Sequence, residues 1–380
     1  MISHQTWIYK DTPQLIYQDT LENKRLTRSD SNSEFSKCVR EGFKMQALLS
    51  GPHTQLIMIN SLSSSDYSCP YYVRESLVLK DGVCIGLDYK RMNENESAPL
   101  VIICHGLGGD SENGFMYHYC DKLSKYGYVP VVVVRRGHGD LSLLPSPRKP
   151  NETLDYLGFP RLSDDCDFEQ VMEHLSRKFP GRKKILLGIS AGGDIVTRYC
   201  KNQRKCKIDA CISISNGNDI DSFTEELDSK RRLIGKLVIY YLINLYNKKI
   251  NQIRMILESK KNVKIDLKKI LNVGSIREFE RELMLPLCIP GTTLHKFYDM
   301  KNSHKGLEDI DIPFLTISSW DDPFIPCHCH THPIIAATKN PNIICLMTQR
   351  GGHTGWIESY GQSWIPKIVH AFIDSKINTM

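Results

Sequence analysis

From residue 100 onward, short apolar runs alternate with stretches of helical spacing, and this alternation permits few architectures. The runs are Leu100 to Cys104, Val129 to Val134, Ile185 to Gly188, Ile208 to Ile214, Phe314 to Ser318 and Ile343 to Met347. Between them lie sets such as Phe168, Val171, Met172, Leu175 and Phe179, spaced so that they share one face of a helix. A strand apolar along its whole length is buried on both faces, and parallel strands need long crossovers, usually helices, to join them. The expected fold is α/β, a mostly parallel sheet with helices on both faces. Just upstream, Ser76 to Lys80 and Val83 to Tyr89 flank Asp81-Gly82 and read as a hairpin closed by a tight primed turn. That hairpin would add antiparallel strands at one edge of the sheet.

The pattern divides the 380 residues into three parts. Residues 1–65 are polar, Ser-rich at Ser61 to Ser65 and weakly periodic, an extended or partly helical lead-in. Residues 66–218 and 307–380 carry the strand–helix alternation. Between them, residues 219–306 lose the alternation and are helix-rich and basic, with Lys230, Arg231, Arg232, Lys248 and Lys249 among the cations. Inserted between two sheet strands, this segment is expected to be a helical lid over the carboxyl edge of the sheet.

Within that frame one short phrase carries chemistry. Lys184 to Gly188 is an apolar strand, Gly188-Ile189-Ser190-Ala191-Gly192 is a G-x-S-x-G turn, and a helical pattern resumes from Ile195. The glycines allow a sharp strand-to-helix turn that lifts the serine hydroxyl clear of the sheet at a helix N-terminus. A serine nucleophile needs a base, and the base needs an orienting carboxylate. His353 follows the run Ile343 to Met347 and Asp321-Asp322 follows Phe314 to Ser318, so both stand at carboxyl ends of expected strands, where the serine also projects. Gly351-Gly352 before His353 reads as a flexible turn that lets the imidazole reach back. The spacing of Asp322 to Pro323-Phe324-Ile325-Pro326 favours Asp322 over Asp321, which would be an exposed or helix-capping neighbour. The oxyanion of an acyl-transfer intermediate needs two N–H donors: Ala191, directly after the nucleophile, and Leu107, within the loop His105-Gly106-Leu107-Gly108-Gly109.

Two other clusters are weighed against this. Cys327-His328-Cys329-His330-Thr331-His332 resembles a metal tract, but adjacent donors on one loop seldom close a tetrahedron and no second Cys/His pair is spaced to complete it. A solvated loop beside the acid is expected, with no metal and no organic cofactor. Arg135-Arg136-Gly137-His138-Gly139 ends a strand near the site and is read either as a contact for a phosphate-bearing headgroup or as structural pairing with carboxylates.

Composition narrows the setting. A formal charge of +6 on 380 residues is too small to argue for nucleic acid. The N-terminus shows no basic stretch followed by an apolar one, and the thirteen cysteines are scattered, several within apolar runs. Reduced cysteines in a cytoplasmic protein are expected, and the sequons at Asn95 and Asn151 are read as fortuitous. The longest apolar candidate, Leu233 to Leu245, is interrupted by Lys236 and Asn244, so a spanning helix is not expected. With basic flanks, the same stretch suits peripheral contact with acyl chains or an anionic membrane surface; the plainer expectation is a helix packed on the catalytic domain.

The phrases Gly188 to Gly193, His105 to Gly109, Asp321-Asp322-Pro323-Phe324 and Gly351 to Trp356, together with Ser275-Ile276-Arg277-Glu278-Phe279-Glu280, carry a resemblance. From about Phe35 to the C-terminus the chain resembles the α/β-hydrolase superfamily, in the branch of AB-hydrolase family four that holds the YheT-type hydrolases and the abhydrolase domain-containing proteins one and three. The resemblance implies the α/β-hydrolase fold, esterase or lipase chemistry and, in the animal branch, phospholipase action. It carries the triad onto Ser190, Asp322 and His353. Animal members usually begin with a hydrophobic anchor that is not seen here, and the acid loop looks longer because of the Cys/His tract. The function expected is hydrolysis of carboxylic esters, those of lipids foremost. Small-molecule esterase or thioesterase action stands as a nearer alternative, and a non-catalytic binding protein as a more distant one.

Overall fold

The computed structural model describes residues 8–27, 33–61, 71–90, 97–145, 164–201, 206–259, 265–287 and 291–377. The asparagines of both sequons, and residues 62–65 of the Ser-rich stretch, lie outside them.

The lead-in contains β1 (Ile8–Asp11), β2 (Gln14–Tyr17) and β3 (Phe43–Gln46), and β4 (Tyr72–Val78) and β5 (Cys84–Lys90) follow it. The six apolar runs supply β6 (Leu100–Cys104), β7 (Val129–Val134), β8 (Lys184–Ile189), β9 (Ala210–Ile214), β10 (Phe314–Ser319) and β11 (Ile343–Thr348). Nine strands form one sheet in the order β2-β11-β10-β9-β8-β6-β7-β5-β4, and β1 pairs with β3 in a separate ribbon. The centre, β6 to β11, is parallel. Every residue of these six strands is buried. Their side chains alternate between two cores. Val101 and Ile103 face a cluster with Phe35, Met116, Trp364 and Phe372, whereas Leu100, Ile102 and Cys104 face Phe168, Val171 and Val196. Burial on both faces removes any need for polar alternation, which is why the strands read as continuous runs.

The edges are antiparallel. β4 and β5 make the expected hairpin, and β5 joins β7. Its turn is not the two-residue primed type. Gly82 donates to the Leu79 carbonyl, Leu79 donates to that of Val83, and Gly82 alone takes a left-handed φ of 83°. At the opposite edge β2 pairs with β11. The N-terminal lead-in thus adds a strand to the sheet, and its Phe35 and Phe43 are fully buried in the core.

Between β9 and β10 the chain is helical and has a core of its own, built on Leu227, Leu242, Tyr246, Ile253 and Phe279. Its longest helix, Arg232–Asn247, has sixteen residues. Among the described residues no helix is long and apolar enough to cross a membrane. The described cysteines are free; Cys104, Cys120 and Cys345 serve as small core residues, and burial pushes their thiols up to about 12.

Candidate active site

The strand order reverses around β6, whose neighbours are β8 and β7. In parallel sheets such a switch opens a crevice at the carboxyl ends of the strands. Register pairs Cys104 with Gly188, so the loops leaving β6 and β8 run side by side. Ser190 sits where β8 turns into the helix Ala191–Lys201, with a left-handed φ of 55°. That conformation costs a side-chain-bearing residue about 1–2 kcal/mol. It is held by two backbone hydrogen bonds, Ser190 N–H to Ile214 O at 2.8 Å and Gly193 N–H to Ser190 O at 2.8 Å. One glycine is indispensable to the crossing. A Cβ on Gly192 would lie 2.0 Å from the carbonyl oxygen of Cys104, backbone against backbone. Gly192→Ala should therefore destabilise the fold by about 3 kcal/mol or more, read as a lowered urea midpoint; an unchanged midpoint would mean that the turn has room to spare.

His353 Nε2 lies 2.9 Å from Ser190 Oγ, and His353 Nδ1 lies 2.8 Å from Asp322 Oδ2. An ionised carboxylate only accepts, so the Nδ1 proton points at Asp322 and the Nε2 lone pair faces the serine. Asp322 is fully buried; its other oxygen accepts the N–H groups of Phe324 (2.8 Å) and Ile325 (3.0 Å). The Phe324 ring packs on the imidazole, centroids 4.8 Å apart.

Asp321 is neither exposed nor a helix cap. Half-buried, it accepts the Gly352 N–H at 2.9 Å, while Ser319 Oγ donates to the Gly352 carbonyl at 2.8 Å. Burial raises its carboxyl above the usual range. The turn before His353 is accordingly braced rather than flexible. Gly352 has a φ of 59°, and a Cβ there would meet the Pro52 carbonyl oxygen at 2.6 Å.

The loop after β6 passes directly behind the serine. Leu107 and Ala191 both line the cavity at Ser190, and neither of their N–H groups donates to a protein acceptor among the described residues. His105 and Arg135 hold this loop from beneath. His105 accepts the Arg135 N–H at Nε2 (3.3 Å) and so donates from Nδ1 to the Gly106 carbonyl (2.8 Å). Burial, then the Arg135 charge, pushes its pKa far down and keeps it neutral. The Arg135 guanidinium donates to the same Gly106 carbonyl at 2.9 Å and pairs with Asp164. Arg136 is buried between Asp167 and Asp81. Both arginines are thus paired with carboxylates, the second of the two readings of that cluster.

The cavity holds about 530 Å³ and is mainly apolar. Lid residues Leu237, Tyr241, Leu242 and Tyr246 line one side of it, and Tyr241 Oη donates to the Gly108 carbonyl at 3.1 Å. Arg231, at the start of the lid helix, donates to the carbonyls of Asp322 (3.0 Å) and Pro323 (2.9 Å). The lid is therefore tied to the loop that carries Asp322, a link that Arg231, one cation among many in that segment, gave no sign of in the sequence. Ser275 caps the short helix Ile276–Phe279 through the Glu278 N–H, which places Ile276 and Phe279 on the cavity wall. The Cys/His tract is solvated in part, as expected, with Cys327, His328 and Thr331 exposed. It folds as a tight turn leading into the helix Thr331–Lys339, with His330 fully buried edge-on to Trp320.

A nine-stranded, mostly parallel sheet with a serine at its sharp strand–helix turn, a histidine and an aspartate in line, and a helical cap defines an α/β-hydrolase. The chain belongs to the hydrolase family described as serine aminopeptidase, S33, which it matches over residues 95–332. It is 29% identical over 297 residues to phospholipase ABHD3 of Mus musculus, covering 76% of this chain and 67% of that one. Monoacylglycerol lipase ABHD2 of Danio rerio is 24% identical over 376 residues, covering 94% of this chain and 82% of its own. Among solved structures, the Pyrococcus furiosus esterase Pf2001 superposes with a TM-score of 0.52 at 14% identity, over 80% of this chain and 91% of that one, a likeness of fold alone.

Proposed function

We propose that the protein hydrolyses acyl esters of lipids through an acyl-enzyme on Ser190. The observation that carries this reading is the unbroken line Ser190–His353–Asp322 opening into an apolar cavity. His353 Nε2 takes the Ser190 proton as Oγ attacks the ester carbonyl. The imidazolium is stabilised by Asp322, and the oxyanion by the N–H groups of Leu107 and Ala191. The same Nε2 proton passes to the leaving alcohol; a water activated by His353 then releases the acid. The apolar walls suit an acyl chain. The names of the relatives, a phospholipase and monoacylglycerol lipases, support a lipid ester over a small soluble one.

The lid helix adds a route for such a substrate. Leu233, Leu237 and Tyr240 are 76%, 60% and 67% exposed, at a spacing that puts them on one stripe, and Leu237 also lines the cavity. Lys230, Arg232 and Lys236 stand beside them. An apolar stripe flanked by cations suits the interface of an anionic bilayer, so peripheral contact through this helix belongs to the same proposal.

Initial rates on p-nitrophenyl esters from acetate to decanoate, then on a monoacylglycerol carried in anionic vesicles, test both parts. Rates should rise with acyl length, and a Leu233→Glu, Tyr240→Glu double variant should lose turnover and co-sedimentation on vesicles while keeping it on soluble butyrate. A flat length profile would move the reading to small soluble esters. Equal behaviour of the double variant on vesicles would remove the membrane contact.

A further inference from the structure

The helical segment that follows β9 begins near Asp219, its last stretch before β10 passes His304, and these two ends meet, with His304 N–H donating to the Asn218 carbonyl at 3.1 Å. Asp219 Oδ1 caps the helix Ile220–Ser229 through the Ser222 N–H (3.2 Å) and also accepts from Asn302 Nδ2 (3.2 Å), on the returning stretch of chain. A third element arrives from the acid loop. His332, in the first turn of the helix Thr331–Lys339, brings Nε2 to 3.7 Å from Asp219 Oδ2 and stacks its ring on His304, centroids 4.1 Å apart. One ligand-capable atom from each of the three residues lies within 4.8 Å of the other two, and all three are half-buried.

The state of these groups matters as much as their spacing. His304 Nδ1 lies 3.1 Å from the Asn218 carbonyl, which can only accept, so Nδ1 carries the proton and Nε2 the lone pair. An imidazole oriented by a backbone carbonyl is the usual arrangement of a metal-ligating histidine. His304 offers its Nε2 lone pair, and His332 Nε2, which faces the Asp219 carboxylate, would give up its proton as an ion binds, so that the three residues form a borderline N/O donor set.

We propose that Asp219, His304 and His332 bind a divalent transition-metal ion of the zinc class, with water completing the tetrahedron. Bonds of about 2.1 Å in tetrahedral geometry set donors roughly 3.4 Å apart, so a donor pair at the 4.8 Å limit must close by about 1.4 Å and the stacked imidazoles must turn to aim both nitrogens at one ion, a rotamer adjustment open to half-buried side chains. Cys329 Sγ approaches the Asp219 backbone carbonyl, and the trio of converging donors does not include it. The bound ion would fasten together the departure of the lid, its return and the helix after the acid loop. Only one residue of the Cys/His tract takes part.

The test is a titration of the full chain, stripped with a chelator, with Co²⁺ at pH 7.5, followed by visible absorption. Expected is one equivalent bound with ligand-field bands and no thiolate-to-cobalt charge transfer, competed by Zn²⁺ and released by a chelator. His304→Gln and His332→Gln should each weaken the site at least about a hundredfold, and Cys327→Ser should leave it unchanged. Their metal-free urea midpoints report folding. No saturable one-equivalent site below millimolar Co²⁺, equal affinity in both histidine variants, or charge transfer showing bound thiolate would each overturn the assignment. Should a histidine variant fail to fold, the stoichiometry and the charge-transfer readout on the unaltered chain decide.

Discussion

Ser190→Ala is expected to lower kcat on p-nitrophenyl butyrate by about a millionfold and to abolish labelling by a fluorophosphonate probe, with the urea midpoint close to that of the unaltered protein. The size of the loss follows from the cooperation of the triad, in which removing the nucleophile costs about as much as removing the whole set. The residual rate would come from oxyanion donors and binding alone. The intact fold follows from the contacts of the side chain. Ser190 Oγ touches His353 and no buried polar group that its removal would strand. Alanine also keeps the Cβ, so the left-handed backbone at 55° is no worse strained than before. Labelling retained in the variant would place the nucleophile elsewhere. No labelling of the unaltered, folded chain would favour a non-catalytic binding protein.

How much of this was legible depended on whether a residue's role leaves a local trace. Buried parallel strands leave one, because both faces must be apolar; β6 and β7 begin and end where their apolar runs do. The G-x-S-x-G turn leaves another, since Gly192 must pass against the Cys104 carbonyl. β2 leaves almost none: four residues, half-exposed at an edge, carry too little pattern to separate them from a lead-in. The roles of Asp321, Arg135 and Arg231 are invisible in principle, because each acts on a backbone group 29 to 92 positions away, through contacts that only tertiary structure creates. The trio Asp219, His304 and His332 is the same case. Short spacing singles out the histidines of one loop, whereas the proposed site recruits one of them and takes its partners from both ends of the helical segment.

The adjacent aspartates offer the sharper test of the site, because they differ in contact and not in chemistry. Asp322→Asn is expected to lower kcat by about 10⁴-fold, with KM little changed. An amide at that position can donate to His353 Nδ1, which favours the tautomer with its proton on Nε2, pointing at Ser190 and unable to accept. It also removes the charge that stabilises the imidazolium. The geometry survives, since the amide oxygen can still accept the N–H groups of Phe324 and Ile325. Asp321→Asn should lose little, as its amide oxygen still accepts the Gly352 N–H, whereas Asp321→Ala frees that turn and displaces His353, a loss of up to about a hundredfold. Asparagine rescue at 321 but not at 322 separates a residue that positions the histidine from one that sets its protonation. Burst kinetics with fluorophosphonate trapping would read both. If Asp321→Asn instead proved the crippling change, the carboxylate serving His353 during turnover would be Asp321, and the loop would have to rearrange on binding substrate.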